Sequence, residues 1–97
     1  MNDRAKDIWY YVIIQNPETQ DSEILGYTDE KSKVTFIPAF ASKEIAQQCF
    51  MIMPKDIMKD RYEAQAIIQE DLSIHARKTG HEVLLLDERG KVLEKIL

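Results

Sequence analysis

Residues 8–14 read Ile-Trp-Tyr-Tyr-Val-Ile-Ile, a run of β-branched and aromatic side chains that stops at Asn16-Pro17. A short, continuous apolar run that is bounded by a turn signal is typical of a strand covered on both faces. We therefore predict that this segment is the central strand of the fold.

Two further strands are predicted downstream of this segment. Residues 24–28 and residues 34–38 are rich in apolar and β-branched side chains, which favour extended backbone. The polar stretch 29–33 between them has the length of a hairpin turn, so the two strands are expected to follow one another directly.

A helix is predicted over residues 43–53. Ser42 precedes it, and a serine hydroxyl at this position accepts a hydrogen bond from an amide of the first turn. Pro54 cannot continue the helical ladder, so the helix is expected to end before it. The residues of the predicted apolar face are three and four positions apart: Ile45, Cys49, Ile52 and Met53.

The region from residue 55 to residue 80 allows two interpretations. Residues 62–68 alternate in the manner of a strand, with Tyr62, Ala64 and Ala66 on one face and Gln65 on the other. One long helix is the alternative. In either case a helix is predicted over residues 70–79, because acidic residues begin it, basic residues end it, and Gly80 suits the left-handed position that stops a helix.

The C-terminal part predicts a hairpin. Residues 83–86 form a buried strand, residues 87–91 a turn in which Gly90 takes a positive φ, and residues 92–97 the returning strand. The element order is therefore β-β-β-α-β-α-β-β. This order predicts an α+β fold, a two-layer sandwich in which a mostly antiparallel sheet carries two helices on one face.

Length and charge narrow the class of protein. The chain has 97 residues, the size of one domain spanning 1–97, in which we expect residues 1–7 to be a loose N-terminal tail. The net charge is −4, which disfavours nucleic acid and anionic membranes as partners. One cysteine excludes an internal disulfide, and neither a signal peptide nor a membrane span is visible. A cytoplasmic location is the expectation.

Three segments of the sequence resemble a known family of small domains. The strand Tyr11–Ile14, the segment Val34–Phe40 that leads to the Ser42 helix, and the strand-helix-Gly80-strand ending are similar to small bacterial domains of the SseB N-terminal kind. The resemblance spans residues 8–90. It implies a small cytoplasmic α+β domain of unknown function without known catalysis, and it assigns no functional residue to this chain.

No residue pattern typical of an enzyme is present. Gly26, Gly80 and Gly90 are isolated, so no phosphate-binding loop is predicted. The six-residue spacing of His75 and His81 fits no common metal motif, although His75 is expected to be partly buried. The following features are interpreted structurally: Cys49 as a buried core thiol, Lys78-Thr79-Gly80 as a helix end, and the acidic pairs Asp29-Glu30, Glu70-Asp71 and Asp87-Glu88 as turn or helix-start residues.

Two surface features remain as binding candidates. The cluster of Met51, Ile52, Met53 and Met58 beside Pro54 is interpreted as core or lid packing, with a small apolar groove as the alternative. The final strand, 92–97, is expected to lie at a sheet edge, and an open edge invites pairing with a second chain.

These observations predict a protein-interaction or regulatory module, with no catalytic, cofactor-binding or metal-binding residues, no cofactor, and neither nucleic acid nor membrane as a partner. The partner is expected to be another protein or a second copy, as a homodimer through the edge strand 92–97. The alternative function is a small-ligand sensor with a pocket between sheet and helices, and an enzyme ranks third.

Overall fold

The computed structural model describes residues 8–29, 31–52 and 61–96. The predicted tail at residues 1–7 lies outside this range. Within it the elements are β1 (Trp9–Gln15), β2 (Glu23–Ile24), β3 (Tyr27–Thr28), β4 (Thr35–Ala39), α1 (Lys43–Ile52), β5 (Tyr62–Ile68), α2 (Gln69–Thr79), β6 (Glu82–Leu86) and β7 (Val92–Lys95). The predicted α+β class is confirmed.

β1 is the central strand, as predicted. It pairs with β5 along its whole length, from Trp9 opposite Ile68 to Gln15 opposite Tyr62. Val12 and Ile13, which point to opposite faces, are both almost completely buried. The continuous apolar run therefore reflects burial on both faces of this strand.

The segment predicted as one strand over residues 24–28 is divided between two strands. β2 pairs with β1, whereas β3 pairs with β4. Beside the end of β4, Tyr11 of β1 forms a β-bridge with Phe40, and the amide of each residue donates to the other's carbonyl at 2.8 Å. Residues 23–28 fill the space where β1 and β4 diverge, so the segment changes partner midway.

The predicted single sheet is consequently two sheets joined at the bridge between Tyr11 and Phe40. Their strand orders are β2-β1-β5 and β3-β4-β6-β7. Most pairings are antiparallel, as predicted, but β4 and β6 run parallel, with Ile37 opposite Val83. A parallel pair needs a crossover, which the chain makes through α1, β5 and α2.

α1 begins where the sequence predicts, since the Ile45 amide donates to the Ser42 hydroxyl at 3.2 Å. Its buried residues are Ala46 and Cys49. Ile52 was predicted on the buried face, but this position is wrong because its side chain is 61% exposed. Met53 and Pro54 lie outside the described residues.

The period-two pattern in residues 62–68 is confirmed as a strand, so the alternative of one long helix is excluded. α2 follows β5 without a loop and ends at Gly80, which adopts φ 77°. As predicted, Glu70 and Asp71 lie in the first turn of α2 and Arg77 and Lys78 in the last, where each charge complements the helix dipole.

The core consists of two clusters on opposite faces of β1. The first joins α1 to the sheets through Ile13, Phe36, Phe40, Ala46, Cys49, Ala64 and Leu86. The second joins α2 to them through Val12, Ile37, Ala39, Leu72, Ala76 and Val83. α1 therefore packs in the first cluster and α2 in the second. A strand that is apolar on both sides requires a cover on each.

Candidate functional site

A tight turn positions the last strand. The Asp87 carboxylate accepts hydrogen bonds from the amides of Arg89 at 2.8 Å and Lys91 at 2.9 Å. Gly90 adopts φ 83°, as predicted from the sequence. The hydrogen bond from the Lys91 amide, followed by that from Arg89, lowers the pKa of Asp87. This turn directs β7 back along β6.

β7 forms one end of the four-stranded sheet, as the sequence predicted. In the part of the chain that the structure describes, it pairs with β6 alone, and all four of its residues are exposed. Val92 and Leu93 are large apolar residues with about half of their surface in solvent, 49% and 56%. This strand therefore combines an open edge with exposed apolar side chains.

The hydrogen-bond pattern shows which backbone groups of β7 face outward. The Ile96 amide donates to the Val83 carbonyl at 2.8 Å, and Glu94 lies opposite Leu85. Because an antiparallel strand alternates, the amide and carbonyl of Lys95 point away from β6. An incoming strand can therefore hydrogen-bond to Lys95 without breaking a bond within the sheet.

A groove of about 370 Å³ lies beside this edge. We call it the sheet groove. Its apolar wall comes from four strands or their flanking residues: Tyr27, Val34, Phe36, Leu84 and Val92. The rings of Tyr27 and Phe36 contact edge to face, with 5.9 Å between their centroids. The wall is therefore formed partly by core residues, which are held in place by the interior of the protein.

The polar side chains that line the sheet groove already have contacts within the protein. The Ser32 hydroxyl donates to the Asp29 carboxylate at 3.0 Å, and this bond is the largest cause of the lowered pKa of Asp29. Glu82 lies 3.7 Å from the Lys95 ammonium. Neither contact is directed at a ligand in the groove, so the groove offers mainly apolar surface.

A second concave region, the helix groove, lies between α1 and β5 and has a volume of about 460 Å³. The Phe50 and Tyr62 rings contact each other here at 4.8 Å between centroids. The residues around it are Ile13, Lys43, Gln47, Phe50, Met51, Tyr62, Glu63 and Ala64. Its polar residues Lys43, Gln47 and Glu63 are exposed, so they lie at the mouth rather than in the interior.

Cys49 is buried, as predicted. It has no exposed surface and packs against Gly90, where an added Cβ would lie 3.6 Å from its sulfur. Burial, and to a smaller extent the nearby Asp87 carboxylate, raises the pKa of the Cys49 thiol. A thiol with a raised pKa is a poor nucleophile, because the thiolate is the reactive form.

The tripeptide Lys78-Thr79-Gly80 ends a helix, as predicted. The Thr79 hydroxyl donates to the backbone carbonyls of His75 at 3.1 Å and Ala76 at 3.3 Å. His75 is half-buried, which confirms that prediction. In residues 8–29, 31–52 and 61–96 no three His, Cys, Asp or Glu side chains are arranged to hold a metal ion.

The predicted methionine cluster is described only in part. Met51 is 77% exposed, so it is not core packing. Met53, Pro54 and Met58 lie outside the described residues. Neither α1 nor α2 has the length and apolar character that crossing a membrane would require.

The sheet groove was missed by the sequence reasoning, although the edge beside it was predicted. Its wall depends on β4 and β6 being neighbours, and the parallel pairing of these distant segments leaves no local pattern in the sequence. The apolar pair Val92-Leu93 in the predicted edge strand was the sequence feature that could have indicated an apolar surface here.

Comparison with known proteins gives no match, whether against family models, curated proteins or solved structures. The resemblance to SseB N-terminal-like domains thus stays a prediction, and any function must be argued from the surface described above.

Proposed function

We propose that this protein is an interaction module without catalysis that binds an extended segment of another protein along β7. The segment adds a strand to the β7 edge and places alternate apolar side chains in the sheet groove. Strand addition is a common mode of peptide recognition, in which main-chain hydrogen bonds supply affinity and side-chain pockets supply specificity.

One observation carries this proposal: an open strand edge and an apolar groove lie side by side. Lys95 directs its backbone groups outward, while Val92 on the same strand lines the groove. A ligand strand that pairs with β7 therefore brings alternate side chains next to Val92, at the side of the groove that this strand forms. Small-molecule and catalytic sites need convergent polar groups, and Asp29 and Glu82 already bind within the protein.

A different protein suits this edge better than a second copy. In a two-fold antiparallel pair, registers centred on the charged residues set Lys95 against Lys95 of the partner subunit or Glu94 against Glu94 of the partner subunit. Like charges directly opposite each other destabilise a sheet. The homodimer predicted from the sequence for residues 92–97 therefore remains the second hypothesis for this edge.

We further propose a bacterial cytoplasmic setting for this interaction. The support is the resemblance to bacterial SseB N-terminal-like domains and the single buried Cys49, which suits a reducing compartment.

The small-ligand sensor remains the alternative function, and the helix groove favours it. Phe50 and Tyr62 form an aromatic pair there, and Lys43 and Glu63 bring both charge signs to its mouth. Titration with a library of small aromatic acids and amines, with amide chemical shifts as the readout, tests this hypothesis. Saturable shifts at Gln47 and Ala64 would support it, and unchanged shifts would reject it.

Selection from a phage-displayed library of random linear peptides tests the main proposal. We expect enriched peptides to carry apolar residues at alternate positions, because alternate side chains of a strand face the same side. The enriched peptide is then synthesised and titrated against the protein, with amide chemical shifts as the readout. Shifts should be largest at Val92 and Lys95.

A matched pair of variants locates the binding. Val92→Ser removes an apolar side chain from the sheet groove, whereas Ile74→Ser removes one of similar exposure, 52% against 49%, from α2. We expect Val92→Ser to weaken peptide binding about tenfold, since burying a valine contributes roughly 1.5 kcal/mol. Ile74→Ser should bind normally. No enrichment, or equal weakening by both variants, would reject the proposal.

A further inference from the structure

A second edge strand, in the other sheet, is β5. Within the described residues β5 pairs with β1 alone, at the end of the sheet opposite β2. Its seven residues form a regular ladder with β1 without a break in register. Such a strand is roughly 24 Å long, at about 3.4 Å per residue.

The backbone groups that face outward follow from two hydrogen bonds. The Asn16 amide donates to Arg61 at 2.7 Å, and the Gln69 amide donates to Ile8 at 2.7 Å. Odd-numbered residues of β5 therefore bond to β1. By alternation, Ala64 and Ala66 direct their amides and carbonyls away from β1 and into the open edge.

Within residues 8–29, 31–52 and 61–96, β5 shows few of the features that protect sheet edges. Natural edges are usually short, bulged, or blocked by proline or an inward-pointing charge. β5 contains no proline and no bulge, and the side chains at its two central outward-facing positions, Ala64 and Ala66, are small. An edge of this kind accepts a second strand readily.

The sequence of β5 is complementary to itself about Gln65. In a two-fold antiparallel pair centred there, Gln65 faces Gln65 of the partner subunit, whose amides can bond to each other. Ala64 faces the partner's Ala66, and Glu63 faces the partner's Ile67. In the central residues 63–67 no like charges lie opposite each other, and outward-facing residues meet outward-facing residues, as hydrogen bonding requires.

We infer that β5 is the surface on which two copies of this chain assemble, as an antiparallel pair centred on Gln65. The bonds at its centre are reciprocal: the Ala64 amide donates to the partner's Ala66 carbonyl, and the Ala66 amide donates to the partner's Ala64 carbonyl. The pairing joins β5-β1-β2 of one protomer to the same strands of its partner. The β7 edges stay open, so the dimer presents two peptide-binding edges.

Disulfide trapping tests this register. In the proposed pair the two Gln65 residues form a non-hydrogen-bonded pair, with Cα atoms about 4.5 Å apart, which lies within the range that a disulfide spans. Two copies of Glu63 are offset by four residues, or about 14 Å along the strand. Under mild oxidation Gln65→Cys should convert largely to a covalent dimer, whereas Glu63→Cys, on the same face, should stay monomeric.

The possible cross-linking results distinguish the proposed register from other arrangements. Efficient cross-linking of Gln65→Cys alone supports the assembly, and its loss in urea shows that it depends on the fold. Equal cross-linking of both variants, or of neither, overturns the proposed register. The unsubstituted protein, which has only Cys49, should not cross-link.

A second variant tests the edge without a cysteine. The Ala66 amide makes no bond within the sheet, so Ala66→Pro removes an outward donor at a position where an edge strand tolerates proline. Sedimentation should show Ala66→Pro as a folded monomer and Ala66→Ser as a dimer. A dimer that persists in Ala66→Pro overturns the inference and returns assembly to the β7 edge. Peptide binding at β7 is measured separately and does not depend on this result.

Discussion

Two edge strands of this protein, β5 and β7, differ in nearly every property that governs strand pairing. β5 is seven residues long and regular, whereas β7 has four residues and a register shift opposite Leu85 and Leu86. β5 presents Ala64 and Ala66 at its outward-facing positions, and β7 presents Lys95. A short, irregular, charged edge resists indiscriminate pairing, and a long plain edge accepts it.

The surfaces beside the two edges also differ, and this difference affects how selectively each edge can bind. α1 and α2 both contact β5, with Ala64 in the cluster of α1 and Ile67 packed against the cluster of α2, so pairing there is determined mainly by backbone register. β7 instead borders the sheet groove, which can distinguish ligand side chains. An open edge alone therefore does not define a partner, because the surface beside the edge determines what selectivity it can have.

The largest expected effect comes from weakening the support that both edges share. Phe40 is fully buried in the cluster that contains Cys49, and its backbone joins the two sheets. Phe40→Ala should lower the free energy of unfolding by about 3–5 kcal/mol, which urea titration measures. Leu93→Ala, at an exposed position, serves as the control and should stay within about 0.5 kcal/mol. A small loss for Phe40→Ala would show that the sheets do not depend on this contact.

A smaller effect is expected at the turn that holds β7. Gly90 has φ 83°, a left-handed conformation that costs other residues about 1–2 kcal/mol. Gly90→Ala should lower stability by this amount and weaken peptide binding at β7. Gly80→Ala, with φ 77° at the end of α2, should cost a similar amount but leave peptide binding unchanged. If both variants weaken binding equally, the turn does not act specifically on the β7 edge.

Acid should act through two turns, one between β3 and β4 and one between β6 and β7. The pKa values of Asp29 and Asp87 are lowered in the folded protein, so the unfolded chain binds protons first. Their contribution to stability is complete above the unfolded pKa of about 4 and is lost as the pH falls through the folded values. The double variant Asp29→Asn, Asp87→Asn should flatten the acid limb of the stability profile. An unchanged limb would show that other carboxylates dominate it.

The smallest effect is expected for the thiol. Cys49 is buried beside Gly90, and burial raises its pKa, so the native protein should not react with thiol reagents on the time scale of an exposed cysteine. Mass spectrometry after labelling in buffer and in urea measures this difference. Rapid, stoichiometric labelling of the native protein would contradict the core position of Cys49 and reopen a redox role.

Much of the fold could be predicted because the patterns are local. The apolar run at residues 8–14, the alternation in residues 62–68 and the left-handed glycines each specify their own backbone. The partner change within residues 23–28 could not be predicted, because it depends on where β1 and β4 diverge. The exposure of Ile52 was missed for a similar reason: Ala46, rather than Ile52, faces the packed side of α1.

The candidate site was predicted only at its edge. Residues 92–97 end in a hairpin whose turn is visible in the sequence, and this was enough to expect an open strand. The sheet groove requires Tyr27, Phe36 and Leu84 to meet, although they are far apart in the chain. A local sequence pattern can indicate that these residues lie together only when the order of the strands is already known.

Hydrogen exchange at single amides tests the difference between the edges most directly. We expect the amides of Ala64 and Ala66 to become protected as the protein concentration rises and to lose protection on dilution. The Lys95 amide should exchange rapidly at every protein concentration and become protected only when a selected peptide is added. Protection of Lys95 by concentration alone, with Ala64 and Ala66 unchanged, would contradict the account and assign self-assembly to β7.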